Sequence, residues 1–200
     1  MKGYYFVTDQ RISKAGNISD VKNAVAADCT VIQYRNKHAE IIDFYNEALK
    51  CKEICKGRMF LVNDRIDIAL AVDADGVHIG QKDMPYDVTR KLIGLGKVIG
   101  VTVHNVQEAI EAEKMGANYL GVSPIYTTTT KDDAGAPSGP KLIREIKKVT
   151  TIPVVTIGGI TLKNAPEVVA SGADMVCAIS AVVCADNVRW EIEKFQDLFE

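Results

Sequence analysis

Two carboxylates follow two successive apolar segments of the sequence. Asp64 ends the segment MFLVND, and Asp83 stands at the equivalent place after the next one, in GVHIGQKD. A third apolar segment, TVIQYRNK, ends with two bases, Arg35 and Lys37. Acids beside bases around one cavity suggest a divalent metal ion shared with a phosphorylated ligand, because hard cations take oxygen ligands and often keep substrate phosphates in their shell.

These residues can meet only if their segments are neighbouring strands that point the same way. The sequence alternates short β-branched segments with longer amphipathic ones. Strands are predicted over residues 4–8, 30–34, 59–62, 76–79, 98–101, 119–122, 154–156 and 175–178. Helices are predicted over residues 20–27, 41–56, 65–71, 87–95, 106–115, 140–149, 161–171 and 188–198.

This alternation predicts parallel βαβ units, and the nearly continuous apolar strands indicate burial on both faces. Eight units favour an α/β fold with a single (β/α)₈ TIM-barrel domain over residues 1–200, in which all strand ends face one mouth. An open doubly wound sheet is the alternative. It is disfavoured because no G-x-G-x-x-G follows the first strand.

The composition is that of an ordinary globular protein, with 47% hydrophobic and 25% charged residues. The formal net charge of −2 gives no reason to expect binding to nucleic acid or to an acidic membrane surface. The start, MKGYYFVTDQ, has no apolar signal segment, so a cytoplasmic location is expected. Five cysteines, an odd number, are interpreted as packing thiols. The sequence does not decide between a monomer and a homo-oligomer.

Gln33, Arg35 and Lys37 alternate along the chain, so in an extended segment they would point to one side, where the two bases could hold phosphate oxygens. The alternative is a solvated strand end. Asn63 and Asp64 could instead cap the next helix. The matching position of Asp83 favours a metal site over that cap.

The pair Gly158-Gly159 follows the seventh strand and is predicted to open a helix, where backbone N–H groups can approach an anion. Ile179 and Ser180 follow the eighth strand and could add further N–H donors. Loops after strands seven and eight are the common phosphate site of these barrels. A tight turn that requires glycine is the alternative.

The connection over residues 123–138 is long for a compact domain and is interpreted as a lid. Lys131 is its single cation. Of the three histidines, His78 is expected to pack inside the barrel, His38 to lie on the surface, and His104 to reach the mouth as a weaker functional candidate.

The motifs together resemble the thiamine-phosphate synthase family, which also contains the thiazole tautomerase TenI. The resemblance rests on QYRNK (33–37), LVNDR (61–65), ADGVHIGQKDMP (74–85), IGVTVHN (99–105), GVSPIYTTTTK (121–131), IPVVTIGGI (152–160) and AISA (178–181). It implies a barrel that joins hydroxymethylpyrimidine diphosphate to a thiazole phosphate with Mg²⁺, releases pyrophosphate and passes through a pyrimidine carbocation.

The resemblance also implies roles for individual residues. Catalytic roles fall on Arg35, Thr102 and Lys131, and Mg²⁺ binding falls on Asp64 and Asp83. Substrate binding falls on Gln33, Tyr34, Arg35, Asn36, Lys37, Asn63, Thr102, Thr128, Thr129, Thr130, Lys131, Gly158, Gly159, Ile179 and Ser180. The chain departs from the common family pattern at Asn36, Thr102 and Thr127, without removing a charge from the expected diphosphate site.

Three other functions remain open. A TenI-like tautomerase would bind thiazole phosphate without coupling, and His104 is the residue that supports it. A sugar-phosphate isomerase or epimerase would need an acid–base pair across the mouth. A non-catalytic sensor would bind a phosphorylated ligand without turnover.

Overall fold

The computed structural model describes residues 1–130 and 135–200, and within them eight parallel strands close into a barrel. The strands are β1 Gly3–Val7, β2 Val31–Tyr34, β3 Met59–Asn63, β4 Gly76–Ile79, β5 Val98–Val103, β6 Tyr119–Val122, β7 Val154–Ile157 and β8 Met175–Cys177. The helices are α1 Asn17–Ala26, α2 Ile41–Ile54, α3 Ile66–Ala71, α4 Tyr86–Ile93, α5 Val106–Met115, α6 Gly139–Val149, α7 Ala165–Ala170, α8 Ile179–Val183 and α9 Val188–Gln196. A 3₁₀ turn, Asp197–Phe199, ends the chain.

The predicted TIM barrel is confirmed. Each strand pairs with its neighbours in sequence, and β8 closes onto β1. Every predicted strand is present, with ends within two residues of the prediction. Because all the strands run in parallel, their carboxyl ends share one rim, where barrel enzymes place their sites.

Side chains alternate between two cores, as the period of a strand requires. In β1, Tyr5 and Val7 point into the barrel, whereas Tyr4 and Phe6 pack outward under the helices. The inner core also contains Val31, Leu61, Tyr119, Val155, Met175 and Cys177. The helices bury their apolar faces against the outer surface of the strands.

Helix α1 begins at Asn17, earlier than the predicted residue 20, and two further helical predictions need correction. The helix predicted over residues 161–171 begins at Ala165, because residues 161–164 form a turn in which Asn164 Oδ1 accepts the Thr161 N–H at 2.8 Å. The short helix α8, directly after β8, was not predicted, since its five residues are too few to show a periodic pattern. Within residues 1–130 and 135–200, no helix is both long and apolar enough to span a bilayer.

Candidate active site

A cavity opens at the carboxyl ends of the strands. Counted out to its open mouth it encloses about 1030 Å³. Its polar lining comprises Gln33, Arg35, Lys37, Asn63, Asp64, His78, Asp83, Thr102, Ser123, Thr128, Thr130 and Ser180. Its floor is formed by inward side chains of the strands, including Tyr5 and Tyr119.

One side of the rim carries charged side chains; we call Arg35, Lys37, Asp64 and Asp83 the charged half. Lys37 Nζ forms an ion pair with Asp64 Oδ2. The Asp64 and Asp83 carboxyls lie close enough to share a hydrogen bond. Burial raises the pKa of Asp64, and the Asp83 carboxyl raises it further, against the lowering effect of Lys37. Two neighbouring carboxylates with one ammonium form a place where added positive charge is favoured.

The backbone explains why Asp64 faces the cavity. Asp64 lies in the left-handed region, with φ of 59°, and α3 starts only at Ile66 with Arg65 as its preceding residue. No side-chain oxygen accepts a bond at that helix start. The helix-cap alternative for Asn63 and Asp64 is therefore wrong, and the Asp64 carboxylate is available to the cavity.

Asp83 is held by the loop after β4. Its Oδ2 atom accepts the Gly80 N–H at 2.7 Å. This bond folds the loop back so that the carboxylate reaches the cavity beside Asp64.

Arg35 is oriented by a residue that the sequence analysis missed. Its Nη1 atom donates to Asp9 Oδ2 at 3.0 Å, and the Asp9 side chain is only 4% exposed. Thr8 Oγ1 accepts the Arg35 N–H at 2.8 Å and donates to the Arg35 carbonyl at 2.9 Å. The guanidinium is thus fixed against the end of β1. An acid directly after the first apolar segment was the available signal.

The other side of the rim offers backbone and hydroxyl groups; we call Gly158, Gly159, Ile179 and Ser180 the neutral half. Gly158 and Gly159 have φ of 106° and 62°. A Cβ on Gly159 would lie 2.4 Å from the Thr127 carbonyl oxygen, so a side chain is excluded there by conformation and by space. The glycines do not open a helix as predicted, because α7 begins later; it is α8 that begins at the rim, at Ile179.

The structure brings most of the predicted site residues to this cavity. Those that line it are Gln33, Arg35, Lys37, Asn63, Asp64, Asp83, Thr102, Thr128, Thr130, Gly158, Gly159, Ile179 and Ser180. Lys131 lies outside the described residues. Its role stays a prediction from the sequence.

Three predicted substrate contacts do not line the cavity. Tyr34 alternates with Gln33 and Arg35, so its ring points outward against Phe44, at 4.7 Å between ring centroids, and its hydroxyl donates to Glu47. Asn36 lies in an outer depression and accepts the His38 N–H at 3.3 Å. Thr129 is exposed between Thr128 and Thr130. We leave these three side chains out of the proposed site.

The three histidines lie where they were expected. His38 is exposed, as predicted. His104 lines an outer depression that shares Arg35 and Asp83 with the main cavity, so it reaches the mouth as predicted, and its Nδ1 atom lies 3.0 Å from Glu108 Oε2. His78 is packed inside the barrel, as expected, but it also lines the cavity and bonds Thr102 Oγ1 at 2.8 Å. An inward histidine one strand away from Thr102 was the overlooked signal.

Comparison with known proteins decides the family. A family model described as thiamine monophosphate synthase matches residues 4–182. The chain belongs to this family. The match covers all eight strands except Gly3, the first residue of β1.

Individual relatives agree. A thiamine-phosphate synthase from Methanosarcina mazei is 53% identical over 196 residues, which cover 98% of this chain and 82% of the relative. One from Chloroflexus aurantiacus is 48% identical over 92% of this chain and 86% of the relative. The solved structure of thiamine phosphate pyrophosphorylase from Pyrococcus furiosus superposes with a TM-score of 0.90 at 38% identity, covering 98% of this chain and 94% of that one. The predicted family, fold and transferase activity are confirmed.

Proposed function

We propose that the protein couples hydroxymethylpyrimidine diphosphate with a thiazole phosphate to give thiamine phosphate and pyrophosphate. In this reaction the C–O bond between the pyrimidine methylene and the diphosphate breaks, and its electron pair leaves with the diphosphate. The thiazole nitrogen then donates its lone pair to the methylene carbon and forms the new C–N bond. The observation that carries the proposal is the meeting of Asp64, Asp83, Lys37 and Arg35 at one cavity.

Asp64 and Asp83 would hold Mg²⁺. The donor set fits, because Mg²⁺ is commonly bound through one or two carboxylates and completes its shell with water and substrate phosphates. Across residues 1–130 and 135–200 there is no group of three or more acidic, histidine or cysteine side chains that would form a complete protein cage for a metal. When bound, the ion would supply positive charge to the diphosphate oxygens.

Arg35 and Lys37 would hold the diphosphate from the other side. As the C–O bond breaks, negative charge grows on the leaving group, and preorganised cations act most strongly where charge develops in the transition state. The guanidinium of Arg35 is already fixed by Asp9, at 3.0 Å. Its orientation therefore costs little when the substrate arrives. Lys131 is proposed to add a further positive charge on sequence grounds.

The neutral half would bind the thiazole phosphate. The backbone N–H groups would come from Gly158, Gly159, Ile179 and Ser180, and hydroxyls from Thr128 and Thr130, which also line the cavity. A phosphate held by neutral donors keeps its place without competing for the cations of the charged half. Gln33 and Asn63 would contact the pyrimidine substrate.

The long connection after β6 would exclude water during the reaction. Its described part contacts the loop after β1, where Arg11 Nη2 donates to the Thr130 carbonyl at 2.7 Å. Exclusion of water protects a reactive carbocation from hydrolysis. This fits a site in which little acid–base catalysis is required.

The rival within the family is a tautomerase that binds thiazole phosphate without coupling. Such an enzyme has no need of the Asp64–Asp83 pair or of the bases beside it. His104, which keeps this alternative open, lies at the mouth with its Nδ1 atom 3.0 Å from Glu108 Oε2. Assay of purified protein with both substrates separates the two functions. We expect thiamine phosphate and pyrophosphate in equal amounts, whereas tautomerisation of the thiazole without pyrophosphate release would overturn the proposal.

A further inference from the structure

A continuous chain of hydrogen bonds crosses the floor of the cavity. Gln33 Nε2 donates to the Tyr5 hydroxyl at 2.7 Å, and the Tyr5 and Tyr119 hydroxyls are 2.6 Å apart. The Tyr119 hydroxyl lies 2.8 Å from His78 Nδ1, and His78 Nε2 lies 2.8 Å from Thr102 Oγ1. Both ends, Gln33 and Thr102, line the cavity.

The barrel makes room for this chain. His78, Gly100 and Tyr119 are in register on β4, β5 and β6. A Cβ on Gly100 would lie 1.9 Å from Tyr119 Cζ, and one on Gly121 would lie 2.8 Å from His78 Cε1. The two rings occupy space that any other residue at these positions would fill. The chain is therefore part of how the barrel interior is built.

The number of hydroxyl and N–H hydrogens available fixes which group donates in each of these hydrogen bonds. Gln33 Nε2 can only donate, so the Tyr5 oxygen accepts. Tyr5 is 2% exposed, and its own hydrogen has a partner only if it donates to Tyr119. Burial raises the pKa of both tyrosines well above the ordinary value, so both hydroxyls keep their hydrogens.

The remaining bonds follow. Tyr119 then donates to His78 Nδ1, which fixes the neutral tautomer with the hydrogen on Nε2. Nε2–H donates to Thr102 Oγ1, so the Thr102 hydroxyl hydrogen is left to point at a ligand. Each of the four bonds then has one hydrogen, and cooperative polarisation strengthens such a series.

We propose that this series of hydrogen bonds prepares the cavity for an amino-substituted aromatic heterocycle. Its inner members, Tyr5, Tyr119 and His78, are positioning residues. They fix the Gln33 amide oxygen as an acceptor for the heterocycle and the Thr102 hydroxyl as a donor to it. The ring meant is the aminopyrimidine of the diphosphate substrate, so this inference rests on the proposed function for its ligand. The direction of the hydrogen bonds does not depend on that function.

The direction is tested by NMR of protein with ¹⁵N-labelled imidazoles at about pH 8, where an ordinary imidazole is neutral. Only three histidines give signals, and His78→Gln assigns the one of interest. We expect the Nε2–H tautomer in the wild type and loss of that single tautomer in Tyr119→Phe. A wild-type Nδ1–H tautomer, or the same tautomer in Tyr119→Phe, would overturn the proposal.

The ligand is tested by steady-state kinetics of Tyr5→Phe. We expect kcat/KM for the pyrimidine diphosphate to fall at least tenfold while KM for the thiazole phosphate stays within twofold. Tyr86→Phe is the matched control, since Tyr86 is also buried and its hydroxyl donates to the Gly116 carbonyl at 2.6 Å, away from the cavity. Equal losses for both substrates, or no loss, would contradict a positioning role.

The two arms separate the failures. If the wild type forms no thiamine phosphate, the proposed function is wrong, and the tautomer measurement still tests the direction of the hydrogen bonds. If the wild type is active and His78 has the Nδ1–H tautomer, the proposed direction is wrong and the proposed function stands.

Discussion

The two halves of the rim are built from different chemistry. The charged half presents two bases and two acids at the ends of β2, β3 and β4. The neutral half presents glycine backbone and a hydroxyl after β7 and β8, and none of its lining residues within the described part of the chain carries a charge. Both halves suit phosphate groups, but only the charged half can compensate for charge that grows during a reaction.

This difference predicts that the two halves affect different kinetic constants for the two phosphorylated substrates. The leaving diphosphate gains charge in the transition state, so groups that hold it should change kcat. The thiazole phosphate keeps its charge throughout, so groups that hold it should change KM alone.

The largest effect is expected from metal removal. Excess EDTA should abolish thiamine phosphate formation, because without a cation the Asp64–Asp83 pair would repel the diphosphate. Added Mg²⁺ should restore the rate, which a pyrophosphate-release assay measures. Activity that persists without metal would remove the proposed role of the carboxylate pair.

Asp83→Ala should lower kcat at least tenfold, equivalent to about 1.4 kcal/mol of barrier. Its loss would leave Asp64 as the single carboxylate for the metal. Asp67→Ala is the control, because Asp67 pairs with Arg65 on the surface, where its Oδ2 atom accepts from Nη2 at 2.6 Å. Circular dichroism should show an intact fold in both variants, and a wild-type rate in Asp83→Ala would show that the acid is misassigned.

Lys131→Ala should also lower kcat at least tenfold, again about 1.4 kcal/mol, because the proposed lid would then close without its positive charge. Lys148→Ala, on the exposed surface of α6, serves as the control. Stopped assays at saturating substrate measure kcat directly. An effect confined to KM for the thiazole phosphate would assign Lys131 to the neutral half instead.

Ser180→Ala should have the smallest effect. Alanine keeps the backbone N–H that is proposed to hold the phosphate and removes only the hydroxyl, so KM for the thiazole phosphate should rise by less than the roughly tenfold that loss of one hydrogen bond to a charged group would cause. The value of kcat should stay within twofold, and Ser19→Ala on α1 should change neither constant. A loss in kcat comparable to that of Asp83→Ala would break the division between the halves.

The fold and the charged half were predictable because both depend on local patterns. Apolar segments of strand length place the barrel, and alternation places Gln33, Arg35 and Lys37 on one side. The same alternation turns Tyr34 outward, which the family resemblance alone did not reveal. A strand's period thus decides individual contacts that a motif leaves open.

Contacts between residues far apart in the sequence could not be predicted. The Asp9–Arg35 pair joins β1 to β2 across 26 residues, and the Tyr5–Tyr119 bond joins residues 114 apart. No local pattern marks such partners, because they meet only when the barrel closes. The start of α7 was misjudged because a side-chain bond from Asn164 replaces the first helical turn.

A crystal structure of the protein with Mg²⁺ and pyrophosphate tests the central claim most directly. We expect the ion within about 2.0–2.1 Å of oxygens from Asp64 and Asp83, with the pyrophosphate between it and the side chains of Arg35 and Lys37. Pyrophosphate bound at Gly158 and Gly159, with no ion at the two carboxylates, would contradict the account.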